Sequence, residues 1–271
     1  MSDGKKAQGS AKMQRVLFGS TIFGPVRSRR LGVSLGINLM PDDGKMCSFD
    51  CLYCEAGYNA QGAGTTGVPT RKQVESQLKR RLAAMREAGE ALDVITFSGN
   101  GEPTLHPDFP AIVADVKRLR NHYYPEARVT VLSNATMCRR PAVRKALLGV
   151  DNNILKLDSA VAATMRALNR PVSPNVLPEG LIADIAEYGG RCVVQTLFTR
   201  GTHDGNIVDN TTDAEVDALI NAYLKIGPRE VQVYTIDRQT PEHSLERIPS
   251  EELKAIAARI EAAGIKVMLI A

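Results

Sequence analysis

The chain has 271 residues, of which 44% are hydrophobic and 24% are charged. This balance is typical of a globular protein and argues against a disordered chain, and no apolar run approaches the roughly 20 residues of a membrane span. The net charge of +4 makes the protein mildly basic, which permits an anionic partner such as RNA without demonstrating one. Much of the basic excess lies early in the chain, at Lys5, Lys6, Lys12, Arg15, Arg27, Arg29 and Arg30.

The first residues, MSDGKKAQGSAKMQR, are polar and contain no apolar segment of the kind found in secretory signals. We predict a disordered tail over residues 1–13, followed by one domain over residues 14–271. Five cysteines, three of them clustered, are a poor disulfide framework and favour the cytoplasm, where thiols stay reduced. The two cysteines outside the cluster, Cys138 and Cys192, are predicted to be packing residues.

Predicted strands and helices alternate along the chain. Residues 33–39 alternate apolar with small or polar positions and predict the first strand. A long loop follows, and Thr70 and Gln73 then fit a capping box that opens a helix. Further strands are predicted at 93–97, 128–132, 153–157, 192–198, 230–236 and 266–270. Further helices are predicted at 109–119, 141–149, 160–169 and 176–188, from Thr212, and from Ser250 to Gly264.

The order of these elements predicts the fold class. Near-continuous apolar strands separated by helices indicate an α/β protein with a parallel sheet covered by helices. Six strand-then-helix units and one final strand are too few for a complete eight-unit barrel. A partial barrel and a doubly wound sheet both fit. In either fold, ligands bind in the loops at the carboxyl ends of the strands.

The loop after the first strand, residues 41–69, contains the clustered cysteines in CSFDCLYC, a C-x3-C-x2-C pattern over residues 47–54. Loops beyond about 15 residues are usually functional or disordered. A structural zinc site needs a fourth cysteine or histidine, usually in a second pair of ligands. The histidines stand singly, at His106, His122, His203 and His243. The other interpretation is an iron–sulfur cluster held by three thiolates, with one iron left open.

CSFDCLYC resembles the C-x3-C-x-aromatic-C motif of the radical S-adenosylmethionine (radical SAM) enzymes. The resemblance implies that Cys47, Cys51 and Cys54 bind a 4Fe–4S cluster and that S-adenosylmethionine chelates the fourth iron. It also implies that Tyr53 lies beside the adenine. Packing beneath the loop is the alternative role for this tyrosine.

A second motif, SGNGEPT at residues 98–104, follows the predicted strand DVITF. It resembles the glycine-rich stretch of the same superfamily. The resemblance implies cofactor binding by Gly99, Asn100, Gly101 and Glu102, with Glu102 accepting from the amino group of the methionine. Glycine has no Cβ, so that the backbone can approach a ligand closely.

Polar residues at later strand ends complete the predicted site. The resemblance implies that Ser133, Asn134, Lys156 and Gln195 contact the cofactor, and it makes Lys156, Asp158 and Arg238 candidates for catalysis. A lysine within an apolar strand is costly unless its charge is paired or meets an anionic ligand. A structural pair of Lys156 with Asp158 or Glu102 is the alternative, and scaffold roles stay open for Gln195 and Arg238.

The resemblance implies a partial (β/α)6 TIM-like barrel and a 5′-deoxyadenosyl radical that abstracts hydrogen from a substrate. It also implies an electron donor such as flavodoxin or ferredoxin. The segments around both motifs most resemble the wyosine-synthase-like subgroup, which favours a tRNA base as substrate. The archaeal enzymes of that subgroup carry extra cysteines for a second cluster, and no cysteine precedes Cys47 here.

Several readings stay open on the sequence alone. A peptide, a protein glycyl site and a small metabolite are further candidate substrates. The alternative of a different class is a non-enzymatic protein that uses zinc or an iron–sulfur cluster for structure or sensing.

Overall fold

A computed structural model describes residues 15–28 and 31–270, so that the predicted tail over residues 1–13 lies outside the described residues. The strands are β1 (Ile22–Ser28), β2 (Gly32–Ile37), β3 (Val94–Phe97), β4 (Arg128–Ser133), β5 (Asn152–Lys156), β6 (Val193–His203), β7 (Asn206–Asp209), β8 (Glu230–Thr235), β9 (Glu246–Arg247) and β10 (Val267–Ile270). The helices are α1 (Arg71–Glu87), α2 (Phe109–Tyr123), α3 (Pro141–Leu148), α4 (Ala162–Leu168), α5 (Pro178–Ala186), α6 (Asp213–Ile226) and α7 (Ser250–Ala262). Within this described part, every helix is too short or too polar to cross a bilayer.

The main sheet has the strand order β1-β2-β3-β4-β5-β6-β8-β10. From β2 onward neighbouring strands pair in parallel, and their order in space is their order along the chain. A doubly wound sheet reverses its direction at a switch point, whereas a barrel winds in one direction. The sheet is therefore a barrel-type sheet that does not close, which confirms the predicted six units and final strand.

Three strands were not predicted from the sequence. β1 pairs antiparallel with β2, but its Gly24-Pro25 dipeptide is typical of a turn. β6 is longer than predicted, and its end pairs with the short strands β7 and β9 outside the main sheet. β7 and β9 are brief, and β1 is interrupted by Gly24-Pro25, so all three lack the apolar alternation from which a strand is predicted.

The helix starts follow the predicted caps. The side chain of Thr70 accepts a hydrogen bond from the Gln73 amide, and the Gln73 side chain accepts from the Thr70 amide at 2.7 Å. Thr212 caps α6 in the same way through the Glu215 amide at 3.3 Å. Both predicted caps are confirmed. The last helix ends at Ala262, two residues before Gly264.

The two faces of the sheet differ in polarity. Side chains that point toward the helices are apolar and fully buried, for example Leu35, Ile95, Val129, Val194 and Val231. The opposite face, which lines the inside of the open barrel, carries neutral polar residues. These include the hydroxyl pair Ser34–Thr96 and the amide pair Gln195–Gln232, each joined at 2.9 Å. Closed barrels are packed with branched aliphatic residues, so this polar interior favours a ligand there.

Asn153 on β5 is an exception on the apolar face. It is 2% exposed, and neither atom of its amide group has a hydrogen-bond partner among the described residues. An unpaired buried polar group costs about 1–3 kcal/mol. We expect Asn153→Val to raise the free energy of unfolding by about 1 kcal/mol, measured by urea denaturation.

The neighbouring Asn152 provides the matched control for this prediction. Its amide donates to Thr130 at 3.1 Å and accepts from Arg229 at 2.9 Å. Asn152→Val breaks both bonds and should lower the free energy of unfolding. If Asn153→Val is as destabilising as Asn152→Val, the assignment of an unpaired amide at residue 153 is wrong.

Candidate functional site

The cysteine loop lies against the segment that follows β3. The Met46 amide donates to the Asn100 carbonyl at 3.0 Å, and the Glu102 amide donates to the Met46 carbonyl at 3.1 Å. Met46 and Gly101 thus form an isolated parallel bridge. The structure brings the two sequence motifs together at the carboxyl end of the sheet.

The glycines of the second motif allow this contact between backbones. A Cβ on Gly101 would lie 1.8 Å from the Met46 carbonyl oxygen, and one on Gly99 would lie 2.4 Å from the side-chain oxygen of Asn38. The sequence predicted that these glycines admit a ligand. The structure shows that they first admit neighbouring protein atoms, and close approach of a ligand to them stays a prediction.

The Asn100 side chain is hydrogen-bonded to the protein backbone. It is fully buried, and its side chain accepts from the Phe18 amide at 2.9 Å. It donates to the carbonyls of Phe18 at 3.1 Å and of Pro41 at 2.8 Å. Its side chain is therefore engaged by the protein backbone, and contact between Asn100 and the cofactor stays a prediction.

Glu102 lies at the centre of a buried network and is 2% exposed. Its Oε1 accepts from the amide and hydroxyl of Thr104 and, at 2.9 Å, from Ser133, while Oε2 accepts from the Asn134 amide at 2.7 Å. Burial raises the pKa of Glu102, and these hydrogen bonds offset part of that rise. Each carboxylate oxygen has two lone pairs, and Oε2 accepts one hydrogen bond from the described residues, so it keeps one acceptor position for the predicted contact with an ammonium group.

Two of the three clustered thiols have side-chain amides as neighbours. Asn134 Nδ2 lies 3.5 Å from Cys47 Sγ, and Asn169 Nδ2 lies 3.6 Å from Cys51 Sγ. Burial raises the pKa of Cys51 to about 11 and that of Cys47 above its ordinary value. A metal therefore has to displace protons from these thiols. Hydrogen bonds to sulfur are one means by which proteins tune iron–sulfur clusters.

Lys45 is a buried cation beside the cysteines, and the sequence analysis missed it. It is 2% exposed, and its Nζ donates to the Gly57 carbonyl at 2.7 Å and lies 3.3 Å from Asp50 Oδ1. Burial acts to lower the pKa of Lys45, but the negative charges of the three cysteines and Asp50 raise it above its ordinary value. Lys45 thus clamps the loop and offsets the charge of the thiolates. Its position two residues before Cys47 could have indicated a cation beside the cysteines.

Lys156 and Asp158 form the structural pair that the sequence left open. Lys156 Nζ lies 3.2 Å from Asp158 Oδ1 and 2.7 Å from the Tyr234 hydroxyl. Burial acts to lower the pKa of Lys156, but Asp158 and Tyr234 raise it above its ordinary value. Asp158 also accepts from the Leu197 amide at 2.8 Å and from Asn169 at 2.6 Å. The lysine is therefore a paired cation at the end of β5.

Two tyrosines flank this cation. The Lys156 Nζ lies 4.8 Å from the ring centre of Tyr53 and 5.0 Å from that of Tyr234. The Tyr53 hydroxyl donates to Asp158, so its polar end belongs to the protein network while its ring lines a cavity. Tyr234 was not among the predicted site residues. The alternation of Gln232 and Tyr234 on β8 could have indicated that both face the barrel interior.

Two adjoining cavities occupy the open barrel. The outer cavity, about 410 Å³, is lined by residues that include Tyr53, Cys54, Gly99, Gln195, Tyr234 and Arg238. The inner cavity, about 320 Å³, is lined by residues that include Phe18, Phe23, Thr96, Gln195, Gln232 and Arg238. The two cavities share five lining residues, among them Gln195 and Arg238, and a ligand in one therefore lies next to a ligand in the other.

Arg238 and the two remaining cysteines take different places. The Arg238 side chain is 66% exposed and pairs with Glu55 at 2.7 Å, directly after Cys54. Arg238 thus joins the loop after β8 to the cysteine loop at the mouth of the cavities. Cys138 and Cys192 lie in the apolar core, as predicted.

A single-ion site is not formed. Across residues 15–28 and 31–270, no group of three or more His, Cys, Asp and Glu side chains is arranged to hold a metal ion. The ligands of a cubane cluster bind different iron atoms and need not converge on one point. The donor set, three thiols in one loop with amides near the sulfurs, fits a cluster.

Comparisons with known proteins show the family and the fold to which the chain is similar. Residues 43–175 match the radical SAM superfamily. A UPF0026 protein of Synechocystis is 32% identical over 225 residues, which are 81% of this chain and 77% of the relative. A UPF0026 protein of Helicobacter pylori is 30% identical over 80% of this chain, and the chain spans 66% of that relative's length. A radical SAM methyltransferase from Sphaerobacter thermophilus shares the fold, with a TM-score of 0.60 and 16% identity over 88% of this chain and 65% of its own.

The fold and the two motifs define a radical SAM protein. The chain belongs to the radical SAM superfamily and, within it, to the family of UPF0026 proteins. The superfamily uses a 4Fe–4S cluster and S-adenosylmethionine, which are the cofactors of this chain, and membership supports an enzyme that uses S-adenosylmethionine.

The Lys45 clamp leads to a stability prediction. Lys45→Met keeps much of the apolar length of the side chain but removes the cation from Asp50 and the donor from the Gly57 carbonyl. Breaking one partner of a buried pair is destabilising, so we expect the free energy of unfolding to fall by about 2 kcal/mol in urea denaturation. Lys79→Met, at an exposed site on α1, should change it by less than about 0.5 kcal/mol. Equal stability of the two variants would contradict the clamp.

Proposed function

We propose that this protein is a radical SAM enzyme in which Cys47, Cys51 and Cys54 hold the 4Fe–4S cluster. The observation that carries the proposal is the docking of the cysteine loop on the second motif. This contact places the three thiols, the Glu102 carboxylate and the outer cavity at one end of the sheet. Such a constellation at the carboxyl ends of the strands is where barrel-type folds carry out chemistry.

When bound, the cluster supplies one electron to S-adenosylmethionine, whose cleavage yields methionine and a 5′-deoxyadenosyl radical that takes a hydrogen atom from the substrate. The chain's own residues bind and orient. Glu102 Oε2 accepts the ammonium group, and the Tyr53 ring forms a wall for the adenine. Asn134 and Asn169 donate to the cysteine sulfurs, and Lys45 offsets their charge. The enclosing cavity excludes water from the reactive centre.

We further propose that the substrate is an RNA base, as in a tRNA, bound in the inner cavity. Phe18 and Phe23 stack there with ring centres 3.8 Å apart and present an aromatic surface. Gln195 and Gln232 offer amides to a base edge, and Arg238 at the mouth offers a cation to a phosphate. Bases of single-stranded RNA are recognised by stacking and by hydrogen bonds to their edges. A wyosine-type reaction stays a prediction.

The proposal also includes a cytoplasmic location and a protein electron donor, flavodoxin or ferredoxin. All five cysteines are free thiols, which suits a reducing compartment. The chain spans only 66% of the Helicobacter relative. The activity, substrate and partners of the whole protein are therefore proposals.

Cluster assembly tests the ligands. After anaerobic reconstitution with iron and sulfide, we expect a 4Fe–4S absorption spectrum and, with dithionite and S-adenosylmethionine, 5′-deoxyadenosine. Cys51→Ala removes a ligand and should reduce both signals to background. Cys138→Ala, a buried cysteine outside the loop, should keep them. One tightly bound zinc, a colourless protein and no binding of S-adenosylmethionine would instead favour the non-enzymatic alternative.

RNA binding tests the substrate class. We expect the purified protein to bind tRNA with an affinity that falls as salt rises, and tRNA to increase the yield of 5′-deoxyadenosine. Arg238→Ala should reduce the salt-dependence slope by about one, because it removes one phosphate contact. Lys254→Ala on α7 should leave the slope unchanged. A yield that responds to peptide extracts but not to tRNA would overturn the RNA proposal.

A further inference from the structure

The segment 168–172, at the end of α4, runs alongside the cysteine loop. The amide of Leu52 donates to the Leu168 carbonyl at 3.0 Å, and the amide of Asp50 donates to the Asn169 carbonyl at 3.0 Å. The amide of Val172 donates to the Ser48 carbonyl at 2.9 Å. The segment is therefore hydrogen-bonded to the loop on both sides of Cys51.

One residue of this segment reaches a predicted ligand. Asn169 is 1% exposed, and its Nδ2 lies 3.6 Å from Cys51 Sγ. The next residue, Arg170, is partly exposed, with its guanidinium 5.0 Å from the ring centre of Tyr58 and 3.4 Å from Asp50. One peptide bond thus separates a contact of the Cys51 sulfur from a cation at the surface.

Arg170 borders a depression of about 600 Å³ on the outside of the cysteine loop. Arg166, also on its rim, is exposed, and no ion pair among the described residues involves it. Val172 on the same rim is 65% exposed. The Asp50 carboxylate there is engaged by Lys45, Arg170 and the Asn59 amide. The depression therefore presents two cations around an exposed apolar side chain.

The depression is separate from the two cavities of the barrel. It shares none of its lining residues with them. A protein seated on it would contact the cysteine loop through Asp50 and Asn59, which line neither cavity. Both cavities would remain available to S-adenosylmethionine and to a substrate.

We propose that this depression is the docking site of the electron donor, a small acidic protein that carries a one-electron redox group. The inference rests on the proposed function. The two arginines complement acidic side chains around the donor's redox group, and Val172 supplies an exposed apolar contact beside them. In the step itself the reduced donor loses one electron and the oxidised cluster gains it, without any bond being formed or broken.

Charge reversal tests the site. Arg166→Glu changes an exposed residue without an ion pair among the described residues, and Val172→Asp places a negative charge at the exposed apolar contact. We expect each variant to weaken the binding of flavodoxin or ferredoxin about tenfold at low salt, measured by calorimetry, with a smaller effect of Arg166→Glu at high salt. Reduction of the cluster by reduced flavodoxin should slow by a similar factor, while reduction by dithionite should not change.

The control is Lys79→Glu, which makes the same charge change at an exposed lysine on α1 and should leave donor binding as in the wild type. Unchanged binding in both test variants, or an equal loss in the control, would overturn the docking site. Loss of tRNA binding with donor binding intact would make the depression an RNA surface instead. A wild-type protein without a cluster would refute the proposed function, whereas a cluster whose reduction by flavodoxin is insensitive to Arg166 and Val172 refutes only the docking site.

Discussion

Two backbone hydrogen bonds between Met46 and the segment after β3 hold the candidate site together. They join a loop that has little regular structure of its own to the carboxyl end of the parallel sheet. The approach requires that residue 101 lack a side chain. Because Glu102 follows directly, the same contact that positions the thiols also positions the carboxylate. The two motifs are thus one structural unit, although more than forty positions separate them in the sequence.

Buried amides and one buried cation complete what these hydrogen bonds begin. A loop packed against a sheet buries carbonyl and amide groups that need partners. Asn59 donates to the carbonyls of Cys47 and Phe49, and Asn100 donates to those of Phe18 and Pro41. Side-chain amides therefore replace the regular hydrogen bonding that the loop lacks. Asn100 has this structural role in addition to the cofactor contact that the resemblance implies.

Local patterns in the sequence predicted the parallel strands and two of the helix caps. The parallel strands are apolar runs, and the caps at Thr70 and Thr212 depend on residues three positions apart, so both can be predicted from short segments. The partners of Lys156 could not, because Tyr234 is 78 positions away and meets it only after the sheet has formed. Likewise, nothing near Asn100 in the sequence indicates that its side chain binds Phe18. Contacts between distant segments decide these roles, and a single sequence does not encode them locally.

Residues of the cysteine loop line two chemically different regions, the outer cavity of the barrel and the depression on the surface. Tyr53 and Cys54 line the outer cavity, whereas Asp50 pairs with the segment after α4 and lines the depression on the surface. The proposed reaction needs a cavity that excludes water, and the proposed electron donor needs a charged surface that is open to water. Because different residues of the loop line the two regions, the cavity can exclude water while the basic depression stays exposed to a partner.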